Sequence, residues 1–343
     1  MVRLDDLSES AIDWMGSIAR ANSELCAPAL TTALMETGEH PALPGEVAAY
    51  LDHILESNEK QNEAVRTQCL MLGDVLANAG IEAVLLKGAC WLFEDGPGRA
   101  DRMLRDIDFL VAPEQAAATV YAMRRAGYHD APIMAEEGHV HPNPLMCAGQ
   151  PATVEPHIEP TTRIAMLPGH EMRRDSTPVA QGLRLPSRPH RIVHNVLHAQ
   201  LVNGDLAGGM ISFRDTLDLA RLIEPDGLDW NQIASQARQR GYFDALSAAL
   251  HKAGLFCGSK VPDPFANDAA GSRHARRCLW QARHPRVGWL IKRWGIATRA
   301  LAWERDSYAL GLGDDRSLAA KVKVNRRRLS RFSTAVRRKL NAR

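Results

Sequence analysis

No two cysteines in this chain stand at CxxC spacing. The six, Cys26, Cys69, Cys90, Cys147, Cys257 and Cys278, are scattered. That excludes a zinc ribbon and argues against a disulfide frame, so they read as reduced thiols of a cytoplasmic protein. Long apolar runs are missing too. No stretch approaches the about 18 uninterrupted apolar residues of a spanning helix, so no transmembrane segment is expected. The opening MVRLDDLSESAIDWM is acidic and has no apolar core of a secretory signal. Internal repeats and low-complexity segments are also absent.

What is present fits a globular chain. Its 343 residues suggest two domains with an N-terminal extension. At 45% apolar and 24% charged residues the composition is ordinary, and a sizeable core can form. The net charge of +2 hides an asymmetry. Eleven of the 42 Lys and Arg fall in 316–343, which holds no acid; the other 31 face all 40 acids, leaving −9 on the rest of the chain. A basic tail on an acidic body can dock on that body or take an external anionic partner.

Residues 7–80 read as helices, with Pro44 near one start and Gly80 as a stop. The pattern then changes. IEAVLLKG (81–88) and DIDFLVA (106–112) are short strand-like runs, and PEQAAATVYAMRRAG between Pro113 and Gly127 is a helix. YHDAPIMA, HVHPNPLMC and ATVEPHIE come next as further short runs. From SRPHRIVHNVLHAQL (187–201) onward the chain is helical again. This order points to a small mixed α/β unit between helical segments.

Two carboxylates stand out in that unit. On a strand, residues i and i+2 share a face, so Asp106 and Asp108 project together while Ile107, Phe109 and Val111 face a core. Like charges this close repel and lose solvation. A divalent cation resolves both costs, because Mg²⁺ takes oxygen ligands and commonly sits between carboxylates and substrate phosphates. Glu155 on the later run ATVEPHIEP offers a third carboxylate, with Glu159 as a nearby rival. Upstream, LLKGA marks a strand-to-helix turn at Gly88, whose backbone N–H groups would suit phosphate.

The order VLLKGA, then DIDFLV about twenty residues on, then VEPH, resembles the polymerase-β-type nucleotidyltransferase superfamily. More narrowly it is similar to a family of uncharacterised nucleotidyltransferases that carry LLKG in place of the usual Gly-Ser turn. The resemblance spans roughly 75–220 and includes Arg102-x-x-x-Asp106-x-Asp108. It implies an α/β (α+β) fold: a small mixed-sheet nucleotidyltransferase core at 66–165, N-terminal helices at 1–65, a helical domain at 187–315 and a basic amphipathic tail at 316–343. It further implies an enzyme that moves an NMP from an NTP substrate to a hydroxyl or phosphate acceptor, with Mg²⁺ (or Mn²⁺) as cofactor and pyrophosphate leaving. Asp106, Asp108 and Glu155 would be catalytic and bind the metal. Lys87, Gly88, Ala89 and Arg102 would bind the nucleotide, and His157 and His198 could lie on the acceptor side. Ala89 stands where many superfamily members carry Ser, and Pro156 comes directly after Glu155 in a position only an edge strand tolerates.

Other signals have two readings. His190, His194 and His198 share a helix face and suit either a zinc site or imidazoles bonded at a domain interface. His198 can also meet Asp218 on the next helix. Trp280, Trp289, Trp294 and Trp303 crowd among basic residues, which suits helical packing or a membrane surface. Leu318, Val322, Leu329, Phe332, Val336 and Leu340 make the tail an amphipathic basic helix. The acceptor can be a small molecule, a peptide, a protein side chain or an RNA end; processive nucleic-acid synthesis is disfavoured because the core has no basic, aromatic groove. The competing reading is an adaptor: a degenerate transferase fold that binds through its helices and tail.

Overall fold

The structure is a computed structural model and describes residues 12–132, 142–284, 287–288 and 317–327. The chain opens with α1 (Trp14–Ser23), α2 (Ala27–Glu36) and the 34-residue α3 (Gly45–Asn78). Asp13 caps α1 by accepting from Gly16 N–H at 2.8 Å. Gly80 ends α3 with φ +69°. The expected boundary at residue 65 falls inside α3, so the N-terminal helices run unbroken into the α/β core.

Two polar side chains on the buried face of α3 brace the strands that carry the acids. Asn62 donates to the carbonyls of Arg99 (2.9 Å) and Arg102 (3.0 Å), fixing the approach to the Asp106 strand. Gln68 bonds Ala152 in both directions, at 2.9 and 3.0 Å, and so sets the start of the Glu155 strand.

Seven strands form one mixed sheet: β1 (Ala83–Leu85), β2 (Asp106–Leu110), β3 (His129–Asp130), β4 (Leu145–Met146), β5 (Thr153–His157), β6 (Thr177–Ala180) and β7 (Leu183–Leu185). Their order is β3-β4-β5-β2-β1-β7-β6. β2 runs parallel to β5 and antiparallel to β1, and β1 runs parallel to β7. The helices between are α4 (Gly98–Asp101), α5 (Ala116–Arg125) and α6 (Gly169–Arg174). β6 and β7 carry the sheet past residue 165, beyond the expected end of the core. They are short, and Pro178 and Gly182 disguise them in sequence. Gly182, at φ +68°, lets their turn meet α3: a Cβ there would lie 2.2 Å from Gly73 O, and one on Gly73 would lie 2.4 Å from Gln181 O. Helix and hairpin thus touch backbone to backbone.

Alternation decides the two faces of the sheet. Leu85, Ile107, Phe109, Val111 and Val154 pack with Leu72 and Leu76 of α3 and Met123 of α5. Val84, Leu86 and Leu110 pack the other way, against Ile192, Leu219 and Leu246 of the helical half. Asp106 and Asp108 share the parity of Leu110, so they project toward the helical half.

That half comprises α7 (Arg188–Val196), α8 (Asp205–Gly208), α9 (Phe213–Ile223), α10 (Trp230–Arg240), α11 (Phe243–Cys257), α12 (Asp263–Ala266) and α13 (Ala269–Arg283). A π-helical turn, Leu197–Val202, extends α7. Residues 318–327 are helical, with Ala320 and Val324 buried and Leu318 and Val322 exposed. The rest of the expected tail helix, and Trp289, Trp294 and Trp303, lie outside the described residues. Among those described, no helix is long and apolar enough to cross a membrane.

Candidate functional site

The turn after β1 shapes one wall of the site. Leu86 N–H donates to Asp108 O at 2.9 Å, which keeps the chain beside β2. Lys87 then takes φ +48°, a left-handed conformation that costs a non-glycine residue about 1 kcal/mol. The next element is a 3₁₀ segment, Lys87–Phe93, where an α-helix was expected. Short connectors favour this tighter winding. Gly88 and Ala89 are buried in it. A Cβ on Gly88 would lie 2.2 Å from Leu104 Cδ2, and the Ala89 methyl belongs to the core around α3.

β2 and β5 supply the floor. Their register sets Asp108 directly beside Glu155 and Leu110 beside His157. Asp108, 1% exposed, accepts at Oδ1 from Lys87 Nζ (2.8 Å) and from His157 Nε2 (2.7 Å). One ligand atom each from Asp108, Glu155 and His157 lie within 4.8 Å of one another; among the described residues this is the one group of three that could hold a metal ion. Asp106 stands two residues before Asp108 on the same face, half-buried, and is not part of that group. Sequence reading placed His157 beside substrate; its bond to Asp108 is what the structure adds.

β5 is not an edge strand, because β4 flanks it on one side and β2 on the other. Pro156 is nevertheless tolerated. Val111 N–H donates to His157 O, so the odd-numbered backbone groups of β5 face β2 and Pro156 faces away. β4 pairs only at Leu145↔Val154 and has ended there.

Electrostatics mark the floor as short of positive charge. Burial alone would raise the Asp108 pKa, but the Lys87 charge and the His157 and Lys87 hydrogen bonds hold it well below the usual carboxylate range. Burial also works against the Lys87 ammonium, yet Asp108, Asp106 and Glu155 together keep its pKa high. Asp106 is pushed up by burial and by Asp108. Glu155 is pushed up by burial, then by Asp108 and Asp106. Lys87 is thus the largest opposing charge for all three carboxylates, with Arg214 and Arg102 acting more weakly on Asp106. Glu159 is not available to them, because it accepts from Gly169 N–H at 2.7 Å at the start of α6.

Next to the floor, and joined to it through Lys87, a cleft opens between the Lys87 turn and α7, the π-helical turn and α9. Lys87, Trp91, Arg102, His194, His198, Arg214, Asp215 and Asp218 are among its lining residues. Arg102 Nε reaches both Asp218 oxygens, at 2.9 and 2.8 Å, and Nη1 bonds Met103 O. The Asp218 carboxylate is therefore taken by Arg102, where His198 was the expected neighbour. Arg221 of α9 clasps Asp101 of α4 at 2.8 and 2.6 Å in the same way. His194 Nε2 donates to Pro160 O at 2.9 Å, and Ser187 Oγ bonds His190 Nδ1 at 3.0 Å. The His194 bond is of the kind the second histidine reading expects, whereas the His190 bond is local to the first turn of α7. Burial, then neighbouring charge, pushes His194 down to about 3 and His198 down to about 4, so both are neutral imidazoles at pH 7.

A family model described as "Uncharacterised nucleotidyltransferase" matches residues 10–258. The chain belongs to this family. The match takes in α1 through α11, so the nucleotidyltransferase unit includes both the sheet and the cleft-lining helices of the second half. No curated protein and no solved structure matches the chain. Arg214, Asp101, Arg221 and Trp91 carry no local sequence signal; only the fold brings them to or behind the cleft.

Proposed function

We propose that the protein is a metal-dependent nucleotidyltransferase that moves an NMP from an NTP to a hydroxyl or phosphate acceptor on a small molecule, peptide or protein. The observation that carries this reading is the β2–β5 register, which sets Asp108 beside Glu155 with Asp106 on the same face, and Lys87, bonded to Asp108, links them to the neighbouring cleft. The donor set fits a hard divalent cation, Mg²⁺ or Mn²⁺. It is rich in carboxylate oxygen, and its acids are under-compensated. His157, engaged with Asp108, orients that carboxylate.

Asp106, Asp108 and Glu155 would hold the ion, which when bound neutralises charge on the phosphates. Lys87 reaches both floor and cleft, and Arg102 adds positive charge from behind its ion pair. The backbone of Gly88 and Ala89 closes the nucleotide side. Glu155, whose raised pKa favours proton uptake, stands where it could accept the acceptor's proton. His157 and His198 border the acceptor side. Catalysis would rest on positioning and charge neutralisation, with no covalent protein intermediate.

Calorimetric titration with NTP, with and without Mg²⁺, tests the reading alongside pyrophosphate release over a pool of acceptors. Metal-dependent NTP binding that Asp106→Asn or Asp108→Asn abolishes in a folded protein is expected. A wild type that neither binds NTP nor releases pyrophosphate would favour the adaptor. One observation leans that way: Ala89 faces the core and offers no hydroxyl to a phosphate.

A further inference from the structure

Among the described residues, four cationic side chains line the cleft, and three are engaged. Lys87 is on Asp108. Arg102 is on Asp218. Arg191 pairs with Glu94 and lies 4.7 Å over the Trp91 ring. Arg214 differs. Its one ion-pair partner is Asp215, its own chain neighbour, with Nε 3.6 Å from Oδ1. That is beyond a good N–H···O bond, and a contact of this kind contributes little. The side chain is 30% exposed and faces the cleft. It sits in the first turn of the 11-residue α9, capped by Ser212, where the helix dipole adds positive potential. Its charge is felt by Asp106 on the floor and by Asp218 and His198 in the wall.

We infer that Arg214 receives the polyphosphate chain of the nucleotide, as the direct phosphate contact on the helical side of the cleft. The inference rests on the nucleotidyltransferase reading and deepens it. A guanidinium presents paired N–H donors that match phosphate oxygens, and one without a close carboxylate has them free. Arg102 would have to give up the buried Asp218 to do the same, which is strongly unfavourable, and Arg191 would have to leave both Glu94 and the Trp91 ring. Arg102 and Arg191 therefore shape the wall, and Arg214 reaches across it to the nucleotide held over the carboxylates.

Isothermal titration of the full chain with pyrophosphate and with ATP, each in the presence of Mn²⁺, tests this. Arg214→Ala is expected to weaken both by about tenfold to a hundredfold, with an unchanged melting temperature. Arg214→Lys should recover part of the loss. Adenosine, which has no phosphate, should bind wild type and Arg214→Ala alike. A wild type that binds pyrophosphate and an Arg214→Ala variant that binds it equally well would overturn the inference and leave the transferase reading standing. A wild type that binds neither pyrophosphate nor ATP would overturn both.

Discussion

Two clusters of charge border the cleft, and they are built on opposite rules. Between α4 and α9, Asp101 meets Arg221 and Arg102 meets Asp218: two acids, two bases, each pair within 3 Å. On the floor, Asp106, Asp108 and Glu155 outnumber the Lys87 ammonium beside them, and Arg214 and Arg102 act on Asp106 only as weaker, more distant charges. A balanced buried cluster needs nothing else and acts as a clasp. An unbalanced one has to be completed from outside, which is the electrostatic signature of a binding site. The difference separates residues that hold the two halves together from those proposed above to bind an ion between them.

The largest test of that division is Asp108→Asn. It should cut nucleotidyl transfer by on the order of 10²–10³-fold, abolish Mn²⁺ binding followed by electron paramagnetic resonance, and leave the circular-dichroism spectrum unchanged. The clasp should respond in reverse. Asp101→Asn leaves Arg221 without its partner and should cost about 3–5 kcal/mol in urea unfolding, with Mn²⁺ affinity unaltered in the folded fraction. Comparable losses of Mn²⁺ binding in both variants would erase the distinction.

Acid titration is a smaller effect. His194 and His198 stay neutral in the folded protein down to about 3 and about 4, while an unfolded histidine takes its proton near its ordinary value of 6.5. A base with a depressed folded pKa contributes stability above its unfolded pKa. That contribution is lost as pH falls through 6.5 toward 4, by roughly 1 kcal/mol per pH unit for each histidine. Melting temperatures between pH 7 and 4.5 should fall accordingly, and His198→Asn should make the slope shallower. Smallest is Ala89→Ser, which gives back the hydroxyl common in the superfamily. Because Ala89 is 1% exposed in the core, the change should cost about 1–2 kcal/mol and leave the affinity for NTP where it was.

Much of the architecture was legible in the sequence because local chemistry writes it. Pro and Gly punctuate α3 and α5, and strict alternation in DIDFLV sends Ile107 and Phe109 one way and the two aspartates the other. The approach of Glu155 to Asp108 could be anticipated only through family resemblance, since nothing local to residue 155 specifies its register. What stayed hidden depends on distance along the chain. Arg102 and Asp218 are 116 positions apart, and Asp101 and Arg221 are 120 apart. Their pairing leaves no periodicity to read. β6 and β7 were hidden for a different reason: strands of four and three residues hold too few positions to alternate.

The sheet's registers bear on when the protein becomes competent. Ala83 pairs with Leu183 and Asp108 with Glu155, so both contacts close long loops before any reward is collected. The second also forces two anions side by side. Local helices such as α3 can form early, whereas this junction is expected to close late, once surrounding hydrophobic contacts can hold the repelling groups in register. A partly folded chain would then be rich in helix yet have no assembled acidic cluster.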